Sequence, residues 1–208
     1  MKYVASAVLV FGLLTTACAE EKEITTAPTS EPIEISVEIP NRTVDKSLLS
    51  YNNRTSLWLL NDHPYSGYSV SYYPDSTQKE KVGILNGRRQ NEAIRWYPDG
   101  QLKEVANYHQ GKLHGEKKRW SSDTNHILVA QLNYHSGKAH GLQQQWYPTG
   151  ELYKMLNLNM GREEGLQQAF RPNGALYANY EAVNGRIFGL KKAALCYGLE
   201  DENINYEN

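Results

Sequence analysis

Residues 108–115 read Tyr-His-Gln-Gly-Lys-Leu-His-Gly, and residues 134–141 read Tyr-His-Ser-Gly-Lys-Ala-His-Gly. The first glycine of this stretch belongs to a series with steps of 24, 26, 24 and 24 residues: Gly87, Gly111, Gly137, Gly161 and Gly185. Four residues after each comes a second position, which is glycine in every unit but the first: Asn91, Gly115, Gly141, Gly165 and Gly189. A fixed period of this length indicates an array of structural repeats rather than one globular core.

Each unit contains two turn signals separated by short alternating segments. One phase is aromatic in every unit: Tyr72, Trp96, Trp120, Trp146 and Phe170. A turn such as Pro98-Asp99-Gly100 follows, in which proline presets φ and glycine supplies positive φ. In residues 142–147, the strand period of two places Leu142, Gln144 and Trp146 on one face and Gln143, Gln145 and Tyr147 on the other. We therefore predict an all-β fold, an elongated antiparallel meander of repeated β-hairpins in a single-layer twisted sheet, with about five units of 24 residues. The repeat glycines and Trp96, Trp120 and Trp146 are expected to be structural.

The single step of 26 residues is explained by one longer turn. Trp120 and Leu128 are eight positions apart, whereas Trp96 and Leu102 are six apart. The two extra residues therefore belong to the turn after Trp120, because turns accept insertions and paired strands do not. Residues 57–60 are expected to cap the front edge of the sheet, and residues 186–199 its rear edge.

The N-terminus has the layout of a targeting segment. Met1-Lys2 is followed by an apolar run over residues 4–14 and by Thr15-Thr16-Ala17-Cys18, which resembles the cleavage box of bacterial lipoproteins. The expected division is a lipoprotein signal peptide (1–17), a disordered acidic tether rich in Thr, Ser, Pro and Glu (18–48), the repeat domain (49–199) and an acidic tail (200–208). The alternatives for the N-terminus are an ordinary cleaved signal, with Cys18 incidental, and an uncleaved anchor.

The lipoprotein resemblance implies that Cys18 carries lipid and anchors the protein in the cell envelope. In enterobacterial lipoproteins, an aspartate after the cysteine retains the protein in the inner membrane, so Ala19 favours the outer membrane by analogy. Cys196 is then the one remaining cysteine, and we expect it to be a small buried side chain rather than a reactive thiol. Residues 51–199 carry a net charge of +6 between acidic ends, which is compatible with an anionic lipid or envelope polymer as partner or with an ordinary solvated surface.

The two quoted stretches resemble the Y-x-x-G-K-x-H-G core of MORN repeats. Together with Trp96–Lys103, the units resemble the bacterial MORN-repeat variant, which occurs in many lipoproteins and in YwqK-type antitoxins. The resemblance covers about residues 55–192. It implies an array of β-hairpins that serves as a binding or scaffolding surface, and it implies no shared enzymatic activity.

No familiar catalytic motif is present in the sequence. There is no Gly-x-Ser-x-Gly, no phosphate loop, no His-Glu-x-x-His and no Cys-x-x-Cys, so neither enzymatic activity nor a cofactor is expected. Four histidines occupy matching phases, which predicts that His109 lies near His135 and His114 near His140. Clustered imidazoles can bind Zn²⁺ or Cu²⁺. The alternative, which we favour, is that repeat packing places them and no metal is bound.

The expected function is that of a non-enzymatic, lipid-anchored envelope protein whose sheet is a protein-binding scaffold. Tyrosine and arginine dominate the energetics of protein interfaces, and the candidate contact residues are Tyr73, Arg95, Tyr97, Tyr147 and Tyr153. The alternative function is an antitoxin or immunity protein that neutralises a toxin by direct binding. A nucleic-acid partner is not expected, because secretion separates the protein from nucleic acid.

Overall fold

The structure, a computed structural model, describes residues 37–190. Within this range there are sixteen β-strands and one short 3-10 helix over Lys46–Leu48. The strands are β1 (Thr43–Asp45), β2 (Leu49–Asn52), β3 (Leu57–Leu60), β4 (His63–Pro64), β5 (Gly67–Tyr72), β6 (Gln78–Leu85), β7 (Arg88–Trp96), β8 (Leu102–His109), β9 (Lys112–Trp120), β10 (Leu128–His135), β11 (Lys138–Ala139), β12 (Gly141–Trp146), β13 (Leu152–Asn159), β14 (Arg162–Phe170), β15 (Leu176–Val183) and β16 (Arg186–Leu190).

Thirteen of the strands form one open sheet. From β5 to β16, each strand pairs antiparallel with the next along the chain, except that β11 and β12 both pair with β10. β1 is the exception, because it lies parallel to β5 at the front of the sheet. The prediction of an all-β meander of repeated hairpins is confirmed.

The first repeat glycine lies in a tight hairpin turn at one edge of the sheet. In the turn between β8 and β9, Gln110 has φ of 49° and Gly111 has φ of 83°. Positive φ at both central residues defines a type I′ turn, whose twist matches that of the flanking strands. We call this side the glycine edge; its five turns are 86–87, 110–111, 136–137, 160–161 and 184–185.

The opposite side of the sheet, the proline edge, carries a different turn. Between β7 and β8, the amide of Gly100 donates to the carbonyl of Tyr97 at 3.0 Å, and the amide of Tyr97 donates to Gln101 at 2.8 Å. Gly100 has φ of 82°, so the loop is a type I turn closed by a residue in left-handed conformation. The equivalent loop between β9 and β10 runs from Ser121 to Ile127, which confirms the predicted position of the two-residue insertion.

The front of the molecule has a second layer. β2, β3 and β4 form a separate antiparallel sheet, and Leu49, Trp58 and Leu60 pack against Val82 and Ile84 of the main sheet. The prediction that residues 57–60 cap the front edge is wrong. Positive φ at Asn61 and Asp62 returns the chain in a two-residue turn, so β3 pairs with β4 in the second sheet and β1 is the edge strand.

The folded part also extends further toward the N-terminus than the predicted boundary at residue 49. Thr43, Val44 and Asp45 pair with β5, and the amide of Ser47 donates to Asp45 Oδ1 at the start of the 3-10 helix. Val37 accepts a hydrogen bond from Asn91 Nδ2 at 2.8 Å. Residues 37–48, which the sequence places in the tether, therefore contact the repeats.

Candidate binding surfaces

Strand register assigns side chains to two faces, because residues directly opposite each other in a sheet point the same way. We call face A the side that carries Glu80 and Val82 and the second sheet. Face B is the other side, and it carries Ile94, Val105 and Lys118 in one row across β7, β8 and β9.

Face A carries alternating charges across four strands and the 3-10 helix. Glu80 accepts from Lys46 and Arg95, with the Arg95 nitrogen 2.9 Å from Glu80 Oε1. Arg95 also lies 3.3 Å from Glu104, which in turn pairs with Lys117 at 2.9 Å. This ion row joins the 3-10 helix to β6, β7, β8 and β9. It also gives Arg95, a predicted partner contact, an internal role.

The carboxylate of Glu80 is buried, with 5% of the residue exposed. Burial alone would raise the pKa of Glu80, but hydrogen bonds from Lys46 and Arg95 outweigh burial and hold the pKa below its usual value. Glu80 is therefore ionised at neutral pH and ties the helix to the sheet.

Three of the predicted contact tyrosines link neighbouring repeats. The hydroxyls of Tyr73, Tyr97 and Tyr147 each donate to a main-chain carbonyl 23 residues further on, at 2.9 Å. The acceptors are the carbonyls of Trp96, Trp120 and Phe170. Ser121 occupies this phase in the third unit, and its hydroxyl instead accepts from Ile127 within its own loop, while Arg171 occupies it in the fifth unit. These tyrosines have a structural role at the proline edge, while their rings stay half-buried.

Tyr153 lies in an aromatic cluster at the rear of the proline edge. Its ring centroid is 4.9 Å from that of Tyr147, and Lys154 Nζ lies 4.7 Å from the Tyr153 centroid. Burial raises the pKa of Tyr177, and a hydrogen bond with Tyr153 acts in the same direction. Of the five predicted contact residues, the structure brings Tyr147 and Tyr153 together and places Arg95 on face A.

The second repeat glycine occupies a bulge that holds a buried glutamine in the rear units. Between β13 and β14, Leu156 pairs with Gln167 and Leu158 with Glu163, so three residues of β14 lie opposite Asn157. Gly165 in this bulge has φ of 78°. Gln167 is fully buried and accepts from the Asn157 amide at 3.1 Å while donating to the Asn157 carbonyl at 2.7 Å.

Gln143 makes the same two bonds to Asn133 one unit earlier, at 3.1 and 2.9 Å. Glutamine suits this place because its amide both donates and accepts. Lys117 and Ala93 stand at this phase in the front units. The sequence analysis did not identify this role. The recurrence of glutamine two residues after Gly141 and Gly165 is the only sequence signal for it.

The four histidines form one continuous row on face B beside the glycine edge. Ring centroids are 5.7 Å apart for His109 and His114, 4.9 Å for His114 and His135, and 5.8 Å for His135 and His140. The predicted pairing of like phases is wrong, because a strand of the other phase lies between two equivalent strands. Within residues 37–190, no group of three or more His, Cys, Asp or Glu side chains is arranged to hold a metal ion.

Two members of this histidine row accept main-chain hydrogen bonds from the next hairpin. The amide of Ser136 donates to His114 Nδ1 and that of Met160 to His140 Nδ1, both at 3.4 Å. Burial lowers the pKa of His114, and the neighbouring His135 and His109 lower it further. His114 is therefore predominantly neutral at pH 7.

One repeat position on face B changes character between the front and the rear. Glu92 and Glu116 occupy it in the front units, and Leu142 and Leu166 occupy it in the rear units. Leu142 is 37% exposed and Leu166 is 43% exposed. Phe188, which is 56% exposed, extends the row, because Leu166 and Phe188 both pair with Glu181. We call Leu142, Leu166 and Phe188 the apolar row. The sequence analysis missed it, although aligning the units at this phase would have shown it.

No protein-family model matches this chain, and no curated protein matches its sequence. The part of the chain that the structure describes contains no helix that is long and apolar enough to cross a membrane. Cys18, Cys196, the predicted signal peptide and the acidic tail all lie outside residues 37–190.

Proposed function

We propose that this protein is a non-enzymatic, lipid-anchored envelope protein whose repeat sheet binds another protein through the rear half of face B. The observation that carries the proposal is the replacement of Glu92 and Glu116 by Leu142 and Leu166 at one repeat position. A repeat position that changes between units and stays exposed is not required for stacking, so it is available to recognise a partner.

The apolar row has the composition of a protein-binding surface. Leu142 pairs with Asn157, while Leu166 and Phe188 flank Glu181, so exposed apolar side chains alternate with polar ones. Exposed apolar groups rimmed by polar residues mark interaction sites. The resemblance of the units to MORN repeats supports the same function, since it implies a scaffolding surface.

Affinity capture from envelope extract, followed by binding with the purified partner, tests the proposal. The test variant combines Leu142→Glu and Leu166→Glu, which copies the residue of the front units and is therefore compatible with the fold. We expect its affinity for the partner to fall at least tenfold, because two apolar contacts that the partner would bury are replaced by charged side chains. The matched control combines Lys79→Gln and Lys103→Gln, which changes the net charge equally on exposed residues of the proline edge.

Equal binding by the wild type and the leucine variant would place the contact elsewhere and would overturn the proposal. A captured protein that is toxic when produced alone, and harmless when produced together with this chain, would assign the alternative antitoxin role. Both outcomes are read from the same captured complex.

Anchoring has its own test at Cys18. We expect the protein made in bacterial cells to incorporate labelled palmitate and its maturation to be blocked by globomycin. Cys18→Ala removes the thiol that would carry the lipid and should abolish labelling. A labelled Cys18→Ala protein, or an unlabelled wild type, would contradict the lipoprotein assignment.

A further inference from the structure

The glycine edge carries a basic residue immediately after every one of its turns. These residues are Arg88, Lys112, Lys138, Arg162 and Arg186. All five are exposed. Among the ion pairs found within residues 37–190, none involves any of them. Five exposed cations are thus available to a ligand along one side of the sheet.

Register places the five cations on one face. Lys112 lies directly opposite His109, and Lys138 opposite His135, so both share face B with the histidine row. Arg88, Arg162 and Arg186 close their hairpins in the same way, opposite Leu85, Asn159 and Val183. Successive cations are two strands apart, which corresponds to about 9–10 Å at the usual strand spacing. The series spans roughly 40 Å.

The proline edge differs in charge. Its turns carry Asp75, Asp99, Asp123 and Glu151. Hydrogen bonds with Thr77 hold the pKa of Asp75 below its usual value, and Thr149 does the same for Glu151. The turns of the glycine edge are therefore basic, whereas four turns of the proline edge each carry a carboxylate with Lys79 and Lys103 close by, so an anionic ligand is attracted to the glycine edge.

The histidine row lies beside these cations and gains charge as the pH falls. Strand register and hydrogen bonds place these groups around the row: Arg88 and Gln90 on β7, Lys112 on β9, Lys138 on β11, Asn159 on β13, and Arg162 and Glu164 on β14. Glu92 and Glu116 lie one position further along face B, where Glu116 pairs with Lys118 at 2.7 Å. Cations outnumber carboxylates around the row, so its protonation strengthens a field that is already positive.

We infer that the glycine edge binds a linear polyanion, which runs along Arg88, Lys112, Lys138, Arg162 and Arg186 beside the histidine row. This surface is separate from the apolar row and stands whether or not a protein binds there. A linear polymer fits better than a membrane, because neighbouring strands rotate by about 20–25°. Over the eight strand-to-strand steps from β7 to β16, that rotation turns successive cations away from any one plane. A flexible chain can follow such a path, whereas a flat surface cannot.

Binding of the full-length protein to inorganic polyphosphate measures this directly. We expect long-chain polyphosphate to bind at least tenfold more tightly, per chain, than tripolyphosphate, since only the long chain reaches several cations at once. The logarithm of the binding constant should fall with log salt with a slope of about −3.5 for five contacts, taking the single-strand value of about 0.7 per contact. Equal affinity for the two chain lengths would overturn the inference.

The test variant, which we call the turn-edge variant, combines Lys112→Gln, Lys138→Gln and Arg162→Gln. These three exposed residues each follow a turn of the glycine edge. We expect affinity for long-chain polyphosphate to drop at least tenfold and the salt slope to shrink to about −1.4, because two contacts remain. The matched control, Lys79→Gln, Lys81→Gln and Lys103→Gln, removes the same charge from exposed lysines elsewhere and should bind like the wild type. An equal loss in the control would show a general charge effect and would refute a site at this edge.

A change of pH tests whether the histidine row contributes to the affinity for polyphosphate. From pH 7.5 to 5.5, imidazoles gain protons, so we expect affinity to rise severalfold. Replacing His109, His114, His135 and His140 by Gln should abolish this rise, so that the ratio of the affinities at pH 5.5 and pH 7.5 falls to about that expected without imidazoles; an unchanged ratio would exclude the histidine row from the site. Vesicles with 30 mol% phosphatidylglycerol form the membrane arm. If the wild type binds these vesicles but not polyphosphate, and the turn-edge variant does not bind the vesicles, the glycine edge binds membranes. That result would overturn the inference of a linear polyanion.

Discussion

The front and rear halves of the sheet share one repeat but bury its strands by different means. At the front, Tyr65 and Ile84 are each 1% exposed beneath the second sheet. At the rear, the residue with no exposed surface is Gln167, and no second layer covers β12 to β15 within residues 37–190. The difference shows that a repeat strand is stabilised either by an added apolar layer or by side chains that satisfy its own backbone.

The same contrast holds at individual repeat positions. Ile84 in the front corresponds to Leu158 in the rear, and Glu80 corresponds to Lys154. Ile84 and Glu80 are buried, whereas Leu158 and Lys154 are half-exposed. Because each repeat contacts mainly its neighbours, substitutions at matched positions should loosen one half without loosening the other.

Ile84→Ala is expected to have the largest effect. Truncating a fully buried isoleucine leaves a cavity and costs about 3–4 kcal/mol of unfolding free energy. Urea denaturation followed by tryptophan fluorescence measures the loss, and hydrogen exchange should locate it in β5 to β7. The matched substitution Leu158→Ala should cost far less. Equal losses at the two positions would contradict the division into a layered front and an unlayered rear.

Glu80→Gln should have the next largest effect, about 2–3 kcal/mol. This lies below the usual range for breaking a buried pair, because Lys46 and Arg95 are 38% and 43% exposed and keep part of their solvation. The folded-state pKa of Glu80 is lowered, so its contribution is complete above the unfolded value of about 4.5 and disappears as pH falls through the folded value.

Denaturation at several pH values tests this sign. The stability gap between wild type and Glu80→Gln should be constant from pH 7 to about pH 5 and should close toward pH 3. Lys154→Met at the matched rear position should change stability little, since Lys154 is half-exposed. A gap that widens on acidification would rule out the ion row as its source.

The local turns were predictable from sequence because glycine and proline fix backbone angles wherever they stand. Gly111 and Gly100 lie in the turns that their sequence context indicates, and the loop 121–127 holds the insertion. The position of β3 was not predictable by phase alone. Asn61 and Asp62 adopt positive φ without glycine, and the pairing of β1 with β5 depends on contacts between distant residues.

The candidate surfaces likewise include features that the sequence predicts and features that only the structure shows. The exposed cations after each turn and the exchange of Glu116 for Leu142 are visible when the units are aligned. The hydroxyl bond from Tyr97 to the Trp120 carbonyl is not, because phase gives the position of a ring and not the direction of its hydroxyl. The bonds of Gln167 to Asn157 likewise require the bulge geometry.

Gln167→Leu tests how the rear is stabilised without a second layer. The substitution keeps the volume but leaves the amide and carbonyl of Asn157 without their partner, which costs about 2 kcal/mol for a buried site. Hydrogen exchange at the Asn157 amide should accelerate. Gln168→Leu, on the partly exposed neighbour, is the control and should leave that amide protected. Unchanged exchange in Gln167→Leu would show that the bulge is held by other contacts.

Tyr97→Phe and Tyr147→Phe should have the smallest effects of this series. Each removes one hydroxyl that donates to a carbonyl of the next unit at 2.9 Å, and the expected loss is about 1 kcal/mol. The link exists in both halves, so the two losses should be equal, unlike those at Ile84 and Leu158. Tyr72→Phe, at a ring that is 53% exposed, is the control and should be neutral. A loss confined to one half would mean that even the tyrosine links depend on the second layer, which would extend the contrast between front and rear to the proline edge.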